Sequence, residues 1–124
     1  MRCAPDLVEG QVHRTGEEMI IEEISISAPE GHGQDMCSAL ASLTASTEVQ
    51  PGCLSYQLFH NWQQPSDIFI RAKWATAEDL VLHLQSDTYK RILLLMELSP
   101  SPPSVQFYTV QEVQGLDLVQ KVRV

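Results

Sequence analysis

Apolar and polar positions alternate over residues 17–27, "EEMIIEEISIS", with Ile20, Ile24 and Ile26 on one face and Met19 and Ile21 beginning the other. A period of two with many β-branched side chains predicts a strand. "APEGHG" breaks the pattern at Pro29, Gly31 and Gly33. From 34 to 47 the apolar residues Met36, Leu40 and Leu43 recur at helical spacing, and Ala39, Ala41 and Ala45 suit a closely packed helix. "VQPGC" stops it, and "CLSYQLFH" (53–60) alternates again, with Leu54, Tyr56 and Leu58 on one face. After the polar turn "NWQQPSD", the strand "IFIRAKW" (68–74) puts Ile68, Ile70, Ala72 and Trp74 on one face and Arg71 and Lys73 on the other. The two strands and the short loop between them predict a hairpin.

Thr76 is a good N-cap with Asp79 at capping-box spacing, and Leu80, His83 and Leu84 then share a helical side. Ser86 can cap a further helix carrying Tyr89, Ile92, Leu93 and Met96 on one face, widened by Leu94, Leu95 and Leu98. A helix apolar over that much of its surface is usually covered on two sides, and a partner subunit is a candidate for the second cover. "SPSPPS" ends the helix. Residues 105–113 predict a fourth strand; 116–124, "LDLVQKVRV", alternates and suggests a final strand, with a short helix as the other reading.

The order β-α-β-β-α-β, with the second helix broken in two, predicts an α+β, ferredoxin-like split βαβ fold with an antiparallel sheet. The strands carry apolar residues on both faces. One face packs on the helices, and the other needs its own cover. Two sheets docked face to face, a dimeric α+β barrel of two-fold symmetry, would supply it. The expected organisation is a flexible tail over 1–16, the domain over 17–113, and an extension over 114–124 that contacts the partner subunit.

The chain has 124 residues, enough for one domain, and 44% of them are apolar. Its formal charge is −8, from 16 acidic against 8 basic residues. With no basic stripe to release counterions, nucleic acid is an unfavoured partner, and so is an anionic membrane surface. There is no run of about 20 apolar residues to span a bilayer. The N-terminal residues lack an apolar core of the secretory-signal type. Cys3, Cys37 and Cys53 are an odd set without a Cys-x-x-Cys spacing, which points away from a disulfide framework or zinc and toward a reducing cytoplasm.

Taken together, "PGCLSYQLF", "FIRAKWATAEDLVLHLQSDTYKRIL" and "PPSVQFYTV" resemble the antibiotic biosynthesis monooxygenase (ABM) family. The pattern there is a Gly-Cys-x-x-Tyr-x-Leu strand, a strand ending in Glu-x-Trp, a Ser/Thr-capped helix with a His-Leu pair, and a Ser-x-x-Phe/Tyr segment. Gly52, Cys53, Tyr56, Leu58, Trp74, Thr76, His83, Leu84, Ser86 and Tyr89 match it. The resemblance covers roughly residues 18–113. It implies a dimeric α+β barrel, and its best-known members oxidise quinols or polycyclic phenols with O₂ and neither metal nor flavin. Two departures stand out. Ala72 occupies the place of the glutamate two residues before the tryptophan. Leu93 stands about where the haem-degrading branch would have its histidine, which makes haem degradation unlikely.

On that resemblance His83 is the catalytic candidate, because an imidazole can take a phenolic proton and return one. Its structural alternative is a histidine covering a core edge. Trp74 and Tyr56 are candidate walls for an aromatic substrate, or core filling. Arg71 is a candidate clamp for a carboxylate or phenolate, or else a surface or dimer ion pair. Glu22, on the isoleucine face, is either a carboxylate at the sheet rim or a pocket acid. His13, His32 and His60 lie apart, no histidine pair has metal-ligand helical spacing, and no metal or other cofactor is expected. Cys53 reads as an inert core thiol. The expected function is a cofactor-independent monooxygenase acting on a hydroquinone-like or polycyclic phenolic aromatic. The rival is a non-catalytic homodimeric domain that binds a small ligand, which Ala72 favours.

Overall fold

A computed structural model describes residues 18–123. The tail expected over 1–16 lies outside the described residues. The first strand, β1, is Ile20–Ser27, and its side chains alternate buried and half-buried along its whole length. Two helices follow, α1 (Gly33–Ala41) and α2 (Thr44–Glu48), then the strands β2 (Cys53–His60) and β3 (Asp67–Trp74). Next come α3 (Ala77–Leu84), α4 (Asp87–Met96), β4 (Ser104–Thr109) and α5 (Leu116–Val122). The sheet order is β2-β3-β1-β4 and every pairing is antiparallel. This is the ferredoxin-like α+β arrangement, with β1 and β3 at the centre. Among the described residues no helix is long and apolar enough to cross a membrane.

The core lies between one sheet face and the helices. Ile24, Ile68 and Ile70 from the sheet meet Leu40 of α1 and Ile92 of α4, and all five are almost completely buried. Burial of this kind contributes roughly 1.5–3 kcal/mol per large aliphatic side chain. The helix expected over 34–47 is two helices. The Ser42 hydroxyl donates to Ala39 O at 2.6 Å, and Leu43 N donates to Leu40 O at 3.0 Å. These bonds three residues back tighten the chain and end α1. The break between α3 and α4 follows from capping. Thr76 Oγ1 accepts from Asp79 N at 3.1 Å, and Ser86 Oγ accepts from Tyr89 N at 3.1 Å, so each helix has its own start.

Two expectations are corrected. Residues 116–122 form helix α5, not a final strand. Leu116, Val119 and Val122 recur every three residues, Asp117 lies in the first turn and Lys121 in the last, which suits a helix dipole. The fourth strand is also shorter than expected, ending at Thr109. In β2, a bulge at Leu54 shifts the register, so that Cys53 pairs with Trp74 and Ser55 with Lys73. It is therefore Cys53, not Leu54, that stands beside the indole.

The second sheet face is open. Phe59, Phe69 and Tyr108 are partly exposed on it. Between them Arg71 Nη2 sits 3.1 Å from Glu23 Oε2.

Candidate active site

Glu22 stands between Ile20 and Ile24 on the buried face of β1, and is 0% exposed. Its cross-strand partner is Ala72, also fully buried. The methyl of Ala72 leaves room for the carboxylate to lean across β3 toward Trp74, the strand's last residue. There the indole Nε1–H donates to Glu22 Oε1 at 3.1 Å. The rim position open to Glu22 on sequence grounds is thus excluded.

His83 reaches the same place from α3. The Thr76 cap fixes where that helix begins, and about two helical turns later His83 faces the sheet. Its ring stacks on Trp74 with centroids 4.3 Å apart and planes at 26°. Nε2 lies 3.5 Å from Glu22 Oε1, close for opposite charges but longer than a good hydrogen bond. On the other side of the ring, Nδ1 is 2.7 Å from Gln50 Oε1. Tyr89 of α4 closes the cluster edge-on, 5.0 Å from the imidazole at 74°.

Three polar atoms in this layer have no partner: Glu22 Oε2, His83 Nε2 and the Tyr56 hydroxyl. Buried polar groups are ordinarily paired, and an unpaired charge in the interior costs several kcal/mol, on the order of the figures for broken buried ion pairs. A cluster of such atoms around one carboxylate and one imidazole is suited to hold a proton, or a ligand that completes the bonding.

The phenols complete the electrostatic picture. Burial, and then the Glu22 carboxylate, push the Tyr89 phenol from 10.0 up to about 12. The same causes, in the same order, push Tyr56 up as well. Both therefore remain neutral O–H donors in neutral solution. The Cys53 thiol is pushed up to about 11 by burial and then by Glu48, so little nucleophilic thiolate is present.

His83, Trp74 and Tyr56 are thus brought to one layer between sheet and helices. Arg71 is not. It alternates with Ala72 and Trp74 along β3, so its guanidinium lies on the opposite sheet face, where Nε donates to Glu23 Oε2 at 3.2 Å. The sheet separates it from the imidazole, and it forms no clamp at this site. His32 pairs with Asp35 at 3.3 Å on the surface, and His60 is exposed. Among the described residues no three His, Cys, Asp or Glu side chains converge as a metal site requires. Sequence reasoning missed Gln50. Its only signal was its place before Pro51-Gly52, a turn that reverses the chain.

The fold and this cluster define a small α+β domain with a buried polar cluster under its helices. The family model for antibiotic biosynthesis monooxygenase matches residues 19–93. The chain belongs to that family. It is similar in fold to several solved structures. One is a protein from Deinococcus radiodurans described as a putative antibiotic biosynthesis monooxygenase, with 22% identity, TM-score 0.70, and coverage of 77% of this chain and 96% of that one. Another, from Shewanella oneidensis, has 22% identity and TM-score 0.70 over 76% of this chain and 92% of its own. A third, a Bacteroides thetaiotaomicron protein of unknown function, has 20% identity and TM-score 0.68 over 76% of this chain and 99% of its own. No curated protein matches the chain.

Proposed function

We propose that the protein is a cofactor-independent monooxygenase that oxidises a hydroquinone-like or polycyclic phenolic aromatic with O₂. The observation that carries this reading is the buried His83 Nε2, unpartnered and 3.5 Å from Glu22 Oε1. His83 takes the phenolic proton, and Glu22 stabilises the imidazolium that results. The phenolate gives electrons to O₂ more readily than the neutral phenol does. One oxygen atom enters the substrate and the other leaves as water, as when a ring CH₂ becomes a carbonyl. Trp74 and Tyr56 supply aromatic wall and a neutral donor. A carboxylate on the pocket side favours a neutral substrate over an anionic one.

The working unit in this reading is a homodimer. Phe59, Phe69 and Tyr108 leave the open sheet face partly apolar, and a second copy related by a two-fold axis covers it.

The test is oxygen uptake with a panel of hydroquinones and anthrone-like phenols, with and without His83→Ala. A fall of at least about tenfold in the variant supports the enzyme, the range expected for loss of a general base. Uptake unchanged by the variant removes His83 from the chemistry. The second reading, a non-catalytic homodimeric ligand-binding domain, is favoured by Ala72, fully buried where the family pattern has a glutamate. It predicts that the same phenols change Trp74 fluorescence with no oxygen consumed. Trp62, 83% exposed, is best replaced by phenylalanine for that measurement.

A further inference from the structure

We propose that Gln50 is a positioning residue that holds the His83 proton on Nδ1, leaving Nε2 as the only ring nitrogen that exchanges a proton. The direction of the bond follows from its surroundings. Ser86 Oγ donates its proton to His83 O at 2.7 Å. It can then only accept from other groups, and it does so from Tyr89 N at 3.1 Å and, over a longer 3.5 Å, from Gln50 Nε2. The Gln50 amide is therefore oriented with its nitrogen toward Ser86 and its oxygen toward the ring. An amide oxygen only accepts, so His83 Nδ1 carries the proton in the 2.7 Å contact.

The turn that presents Gln50 is itself held. Cys53 N donates to Gln50 O at 3.2 Å across Pro51 and Gly52, and Gly52 has φ +78°. Proline followed by glycine at positive φ is the signature of a type II turn. A Cβ on Gly52 would collide with the Asp79 carboxylate, so the turn lies directly against the start of α3. The helix that carries His83 and the turn that carries its acceptor are thus one packed unit.

With Nδ1–H fixed, a proton taken from the substrate goes to Nε2 or on to Glu22 Oε1, 3.5 Å away. On nitrogen it makes imidazolium and carboxylate; on oxygen it makes two neutral groups. The total charge of the buried pair is the same either way, so the proton moves without a new charge entering the interior. The groups facing the pair are Tyr56 and Cys53 from β2 and Tyr89 from α4, with Glu48 of α2 acting on Cys53. From β3 the pair meets only the non-titrating Trp74. The tautomer stands on this geometry alone; its part in catalysis rests on the monooxygenase reading above.

The experiment is ¹⁵N NMR of histidine-labelled full-length protein through a pH titration, for the native chain, Gln50→Leu and Gln50→Glu. In the native chain Nδ1 keeps its proton in every state, and Nε2 loses its proton as the ring becomes neutral. Gln50→Leu yields a neutral ring with a substantial Nε2–H population, and Gln50→Glu, which keeps an acceptor, restores Nδ1–H. With an oxidised phenol in hand, Gln50→Leu lowers kcat by about tenfold with KM within about twofold, and Gln50→Glu recovers most of it. A native neutral ring protonated on Nε2 overturns the proposal. So does a tautomer unchanged in Gln50→Leu, or a ring that never releases a proton. If no phenol is consumed by the native protein, the NMR result still decides the role of Gln50, and only the monooxygenase reading falls.

Discussion

Glu22 and Glu23 are neighbours in sequence and lie on opposite faces of one sheet. Glu22 is fully buried, bonded to Trp74 and 3.5 Å from the His83 imidazole. Glu23 is in water, 3.1 Å from Arg71. The two acid–base pairs have similar separations and very different surroundings. On the open face of the single subunit, solvent and salt screen the charges and the pair is worth little. On the covered face, the same attraction acts in a medium of low polarisability, shielded from bulk solvent. The difference teaches that exposure, set by the two-residue period of the strand, decides which charges can do chemistry.

The largest effect expected from breaking this contrast is on stability. Trp74→Ala empties a site that is 0% exposed and should lower unfolding free energy by about 3–5 kcal/mol, read by urea denaturation. Phe69→Ala, on the open face at 38% exposure, should cost the folded subunit less than about 1 kcal/mol while weakening self-association in sedimentation. Equal losses at the two positions would erase the distinction between the faces.

Alkaline pH probes the covered face alone. Tyr89 ionises at 10.0 when unfolded and at about 12 when folded. The unfolded chain therefore loses that proton first, so the stability Tyr89 contributes is complete below 10.0 and falls as pH rises through the window to about 12. Tyr56, raised in the same direction, extends the loss upward. Thermal melts from pH 9 to about 12 should show the decline, and Tyr89→Phe should shrink it.

Glu22→Gln keeps an acceptor for the indole and removes the charge. Stability should change by no more than about 1 kcal/mol, while oxygen uptake falls as far as in His83→Ala. Loss of fold with no separate loss of turnover would make the carboxylate purely structural. The smallest effect belongs to Arg71→Leu. In the single subunit an exposed pair contributes roughly 0.2–1 kcal/mol, and the site lies beyond the sheet, so turnover should be unchanged wherever sedimentation shows the dimer intact.

Alternation made β1, β2 and β3 legible in the sequence, and the Thr76 and Ser86 caps marked the starts of α3 and α4. The family motif pointed to Trp74 and His83, and periodicity already placed Arg71 on the other face. Glu22 was visible on an isoleucine face, but a lone carboxylate there is costly. Only its distant partners Trp74 and His83, 52 and 61 residues along the chain, make burial tolerable. Gln50 was silent because its role depends on contacts 33 and 36 residues away, through a turn of no hydrophobic pattern. Residues 116–122 misled because short apolar stretches satisfy both periods.

The pairing of Glu22 with Ala72 has a bearing on how such chains are compared. Judged by linear position, this member lacks the acid that precedes the tryptophan in its relatives' pattern. Judged by the ladder, Glu22 stands on the adjacent strand directly opposite Ala72 and bonds the Trp74 indole. A functional group can be supplied from a neighbouring strand, and a one-dimensional column would score its place as empty.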